Sequence, residues 1–132
     1  MMNNVKSYVD NLVIKLKQSG QFNEVKFYKA YDGAVVPNRI TVPYVSVGVG
    51  EIIRENQILS IDNQSLGVQK FEIILRVSAQ TDSELTLLCE RLERSLFLLG
   101  VPITSTKICR IDFSEDTQAI YRKIVAMVSI YE

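Results

Sequence analysis

Residues 68–100 read VQKFEIILRVSAQTDSELTLLCERLERSLFLLG, a strand signal that runs straight into a helix signal. In its first half Phe71, Ile73, Leu75, Val77 and Ala79 alternate with Lys70, Glu72, Ile74, Arg76 and Ser78, the period-two pattern of a half-buried strand. Thr81, with Glu84 three residues later, predicts a capped helix start, and Gly100 followed by Pro102 predicts its end. Between them Leu85, Leu88, Cys89, Leu92, Leu96 and Leu99 share one side of a 3.6-residue helix. The core is expected to form on this pair, with Leu75, Val77, Leu88, Leu92 and Ile111 buried together.

The chain N-terminal to this stretch supplies a second helix and two strands. Asn4 is a plausible N-cap for a helix ending near Ser19, with Gly20 as its terminating glycine. Val5, Tyr8, Val9, Leu12, Val13 and Leu16 form its apolar stripe, and only Ile14 falls on the polar side. Residues 24–31 predict a first strand with Val25 and Phe27 inward, followed by a loop from Asp32-Gly33 to about Thr41. In the second strand, 42–53, Val45, Val47 and Val49 alternate with Ser46, Gly48 and Gly50. Such small residues suit close approach by another group. The 54–67 segment is polar apart from Ile58, Leu59 and Ile61 and reads as a long hairpin loop or an arm.

C-terminal to the helix, residues 106–113 predict a strand with Cys109, Ile111 and Phe113 inward. The last strand, 119–131, carries Ile120, Ile124, Ala126, Val128 and Ile130 on one face. Ile74, Val125, Met127 and Tyr131 fall on the opposite face of the sheet. The expected order is α-β-β-β-α-β-β. The expected fold class is α+β: a two-layer domain over residues 1–132, with two helices on one face of a mixed, mostly antiparallel five-stranded sheet.

Composition narrows the function. A chain of 132 residues forms one domain that buries roughly 68% of its unfolded surface. Lysine plus arginine equals aspartate plus glutamate, 15 each, without the basic excess usual for a nucleic-acid grip. No run nears the roughly 20 apolar residues of a membrane span. The first residues, Met1-Met2-Asn3-Asn4-Val5-Lys6, lack the pattern of a secretory signal, so an intracellular protein is expected. Cys89 and Cys109 are expected as unpaired internal thiols. The sequence has no histidine, which removes the commonest general base, the Ser-His and Cys-His nucleophile pairs and most zinc sites. No catalytic residue, cofactor or metal site is expected.

Other constellations are weaker. Asp112, Glu115 and Asp116 could gather round a divalent cation, but acidic residues at a turn are usually just solvated. Gly48-Val49-Gly50 sits in a strand pattern without the Lys-Ser/Thr that a phosphate loop needs. Lys107, Arg110, Arg122 and Lys123 could form a basic strip, or an ordinary charged sheet face. Leu87 and Leu98 lie roughly opposite the leucine stripe of their helix, with Phe97 to one flank, where a surface helix should be polar. Together with Ile58, Leu59 and Ile61 they are the candidate interface.

The layout resembles that of the tail terminator, or tail completion, proteins of long-tailed bacteriophages and related prophage tails. The likeness rests on the N-terminal amphipathic helix and on the strand Pro43-Tyr44-Val45-Ser46-Val47-Gly48-Val49. It rests equally on Lys70-Phe71-Glu72-Ile73-Ile74-Leu75-Arg76-Val77 leading into Asp82-Ser83-Glu84-Leu85, and on a closing strand with Tyr131. The resemblance implies a non-enzymatic α/β domain that assembles as a homo-oligomer, a hexameric ring on the end of the tail tube. Such a ring stops tube polymerisation and presents a surface to the head connector. The implied partners are further copies of the chain, the tail tube protein and the head connector protein. No membrane is implied, and DNA only passes through the ring lumen. The implied location is the virion tail, assembled in the bacterial host cytoplasm. No motif defines the family, so no single residue's role carries over. Two further readings remain. One is a small ligand-binding or regulatory α/β domain acting as a dimer. The other is an enzyme that would need Asp112, Glu115 or Glu51 buried with a raised pKa.

Overall fold

A computed structural model describes residues 2–29, 43–59, 64–115 and 119–131. The elements in chain order are α1 (Met2–Gln18), β1 (Lys26–Lys29), β2 (Tyr44–Leu59), β3 (Gln64–Ala79), α2 (Asp82–Leu98), β4 (Ile103–Ile108), β5 (Asp112–Ser114) and β6 (Ala119–Tyr131). They build one sheet in the order β1-β2-β3-β6-β4, with β5 also paired to β6. Among the described residues only β1–β2 is parallel, and the other pairings are antiparallel. The mixed, mostly antiparallel α+β sheet and its α-β-β-β-α-β-β order therefore stand as expected. The predicted 106–113 strand is two strands, β4 and β5, broken at residues 109–111, so the described sheet has six strands rather than five.

The helices stay where their punctuation puts them. Thr81 caps α2 in extended conformation, its hydroxyl oxygen accepting from the Glu84 N–H at 3.2 Å. At the other end Gly100 has φ +73°. Its N–H reaches Phe97 O and that of Val101 reaches Leu96 O, the paired bonds of a Schellman stop. Gly20 closes α1 likewise with φ +77°. The α1 helix begins at Met2, so Asn4 lies inside it rather than capping it, the one- or two-residue fraying common at helix ends.

Both helices cover the same face of the sheet. Val5, Val9, Leu12, Val13 and Leu16 of α1 and Leu85, Leu88, Cys89, Leu92 and Leu96 of α2 join Val45, Val47, Phe71, Ile73, Leu75, Val77, Ile124 and Val128 in one buried cluster. The register explains the choice of face. Val45 opposes Val77, Val47 opposes Leu75, and Leu75 and Phe71 oppose Ile124 and Val128, so one alternation phase is apolar across three strands. Tyr8 stands edge-on to Phe71 at 5.7 Å between ring centroids, closing one end of the core.

Three expectations need correction. The 54–67 segment is not a loop on its described residues. The β2–β3 ladder continues from Arg54↔Gln69 to Leu59↔Gln64, making a long ribbon. Backbone pairing alone defines this ribbon, and residues 54–57 are polar without apolar alternation, so they carry no strand signal. The first strand starts at Lys26 rather than at residue 24, and its described part runs to Lys29. Phe113 is not inward: it is 52% exposed, because β5 pairs with the first residues of β6 at the sheet margin. Ile111 and Cys109 are half-buried, with Ile111 packed against the core cluster. The predicted strand residue Tyr31 lies outside the described residues.

Candidate assembly surface

The α2 helix spends one stripe on the core and still carries apolar residues elsewhere. Leu87 is 59% exposed, Leu98 67% and Phe97 81%. Leu87 and Leu98 are eleven residues apart, three helical turns or about 16 Å along one line of the helix surface. At its N-terminal end, Leu87 shares a cavity of about 280 Å³ with Val25, Pro43, Ala79, Leu88, Glu24, Glu84 and Arg91. Two of that cavity's charges are satisfied by each other. Arg91 Nη1 donates to Glu24 Oε1 at 3.1 Å, and the guanidinium also lies 5.2 Å from the Phe22 ring centroid. A backbone N–H bond at Glu24 and then the Arg91 contact hold the Glu24 carboxyl below its ordinary pKa.

The second candidate surface is the ribbon. β1 covers β2 only over Tyr44–Val47, and β6 reaches back along β3 only to Val68. Beyond those limits β2 and β3 have only each other among the described residues. The ribbon's base is built from a β-bulge between Val49 and Ile52. There the Glu51 N–H donates to Glu72 Oε1 at 2.9 Å. The expected close approach at the small residues is realised at Gly50, where a Cβ would lie 2.8 Å from Glu72 Oε1 and 3.1 Å from Glu72 Cβ. A bulge re-aims and twists the strand that carries it.

The five interface residues do not form one patch. Ile58 and Leu59 lie at the far end of β2, in register with Ser65 and Gln64, whereas Leu87 adjoins Pro43 and Ala79 at its start. Ile61 lies outside the described residues. Further exposed apolar residues are Ile53 and Ile108, which the sequence reading did not single out, and Phe113, which it expected inward. Ile108 and Phe113 fall on the apolar alternation phase at the β4–β5 margin, and only the helix placement, which is not local information, leaves them uncovered.

The remaining constellations dissolve on inspection. Asp112 serves its own turn, Oδ1 accepting from the Phe113 N–H at 2.8 Å and Oδ2 from the Tyr121 hydroxyl at 3.4 Å. Glu115 is exposed and Asp116 lies outside the described residues. Among the described residues no three of His, Cys, Asp and Glu stand together as a metal group. The basic strip does not form as one. Lys123 and Lys107 share the face away from the helices, whereas Arg122 opposes Val77 on the core face and lies near Cys89. Arg76, on the former face, stacks 4.0 Å over the Tyr121 ring. Glu51, Asp112 and Glu115 are all exposed, whereas the carboxylate-enzyme reading needed one of them buried.

Sequence inspection did not anticipate two buried polar side chains. Tyr44 and Gln69 are fully enclosed, and among the described residues neither the tyrosine hydroxyl nor the glutamine amide has a hydrogen-bond partner. Comparison with protein-family models and with curated proteins finds no match. Among the described residues no helix is long and apolar enough to cross a membrane.

Proposed function

We propose that this chain is a structural protein of a phage or prophage tail. Its copies form a ring, a hexamer, that caps the tail tube, stops its polymerisation and joins the tail to the head connector, with DNA passing through the lumen. It acts in the virion tail after assembly in the host cytoplasm and performs no catalysis. The observation that carries this reading is that the apolar candidates sit at two separate places: Leu87 and Leu98, exposed on α2, and positions 58 and 59 at the far end of β2. Two distinct surfaces on one chain suit head-to-tail contacts, which close into rings, better than the single self-complementary patch of a two-fold dimer. If association buries the five candidate side chains, Ile61 included, at roughly 1.5–3 kcal/mol each, the gross gain is comparable with the cost of association. The ring is therefore marginal when dilute and firm on a tube end.

The dimeric ligand-binding reading draws on the cavity beside Leu87, but Glu24 and Arg91 there are already paired with each other. The test of the tail reading is the triple serine variant at Ile58, Leu59 and Ile61 in tail assembly. The expected outcome is a folded chain whose tails grow to irregular length or fail to join heads. Normal tails and fully infectious particles from that variant would contradict the assignment.

A further inference from the structure

Where the ring reading leaves open how copies meet, the sheet edges supply a means, and this step rests on that reading. On one side, no described strand lies beside the outer edge of β2 from Gly48 to Leu59; β1 is described as far as Lys29, opposite Val47. A two-stranded ribbon alone is at best marginally stable in water and gains from a third strand. On the other side of the sheet, β4 pairs only with β6 among the described residues, and its residues from Thr104 to Ile108 are all exposed. It contains no proline, its charged guard is Lys107 alone, and four of its six residues are β-branched. Such an edge is a template for another strand.

We infer that the Gly48–Leu59 edge of one copy adds as a strand to the β4 edge of the next, so that the sheet runs on from subunit to subunit. The charges agree. Residues 48–59 hold Glu51 and Glu55 against Arg54, and residues 103–110 hold Lys107 and Arg110 with no acid. The two edges are different and lie on opposite sides of one sheet, so their union is head-to-tail and closes as a ring rather than a two-fold dimer.

The ladder identifies the backbone groups concerned. The Cys109 N–H donates to Lys123 O at 2.9 Å, and Lys107 opposes Val125. In an antiparallel pair the bonding residues alternate, so the N–H and C=O groups of Thr106 and Ile108 point away from β6, toward the open edge. Thr106→Pro therefore removes one outward donor and leaves the β6 ladder whole, a substitution edge strands accept. Thr106→Val keeps the donor and serves as the control.

The experiment measures association by sedimentation at rising protein concentration, with circular dichroism and melting as the fold check. The wild type and Thr106→Val should assemble alike, and Thr106→Pro should associate at least tenfold more weakly with an unchanged melt. A second measurement does not depend on that variant folding. Lys107 and Ile53 lie on the same sheet face, both exposed, and would fall on neighbouring strands of adjacent copies. A Lys107→Cys chain mixed with an Ile53→Cys chain, both carrying Cys109→Ser, should be joined by a short bismaleimide into a mixed dimer. Undiminished assembly of a folded Thr106→Pro, or assembly without that cross-link, overturns the edge pairing and leaves the ring standing. A wild type that stays monomeric at every concentration overturns both.

Discussion

Leu92 is fully enclosed between α2 and the sheet, and it belongs to the alternation and helix phases that were legible before any coordinates. Leu75, Val77, Leu88 and Leu92 are buried together as expected, and Ile111 packs against them from the margin. Truncating Leu92 to alanine should cost about 2–5 kcal/mol, read as a lowered melting temperature and denaturation midpoint. Cys89 gives a pH-dependent check. Burial pushes its thiol up to about 11 from an ordinary 9.0, with Arg122 opposing the rise. The raised folded value means that the native state holds this proton longer than the unfolded chain does. Stability from this group is thus full below about pH 9 and lost as the pH climbs toward 11, by roughly 2–3 kcal/mol. Denaturant titrations at pH 8 and pH 10.5 measure it; Cys89→Ala should flatten the slope. Both cysteines are free. A thiol reagent should modify half-buried Cys109 well before Cys89, and rapid modification of Cys89 in the native protein would contradict its burial. Residue-level burial was not legible along 106–113: Phe113 is exposed because the covering helix does not reach it, and Cys109, expected internal, is half-buried because it pairs with exposed Lys123.

Elements were legible in proportion to their local punctuation. Thr81 and Gly100 bracket α2 because a side-chain acceptor and a left-handed residue are needed there for short-range reasons. Thr81→Ala should therefore remove about 0.5–2 kcal/mol, measured by chemical denaturation. The ribbon had no such punctuation. Arg54 to Gln57 are strand because their backbone groups pair with residues 66–69, a long-range fact that polar side chains do not announce. Gly50, read from sequence only as a sign of close approach, turns out to be where the Glu72 side chain crosses to meet Glu51. Gly50→Ala should destabilise the ribbon's base by forcing Glu72 aside. Hydrogen exchange should then quicken at the Glu51 amide, and unchanged protection there would show the bulge to be tolerant.

At the scale of the whole molecule the sheet order was not legible, since adjacency of β3 to β6 and of β6 to β4 depends on crossovers that leave no local trace. The candidate interface was half legible. Leu87 and Leu98 stood out against the helical period and are exposed, whereas their separation from the ribbon emerged only with the fold. Replacing Leu87 and Leu98 together with serine should leave the melting curve within about 0.5 kcal/mol of wild type, as exposed sites usually do. The same pair should weaken self-association measurably in sedimentation if that side of α2 is a contact. The central claim is that copies of this chain assemble head-to-tail into a closed ring of six. Native mass spectrometry of the concentrated protein tests it most directly: a six-copy species is the predicted result, and a species that stops at two copies, or never leaves one, would contradict it.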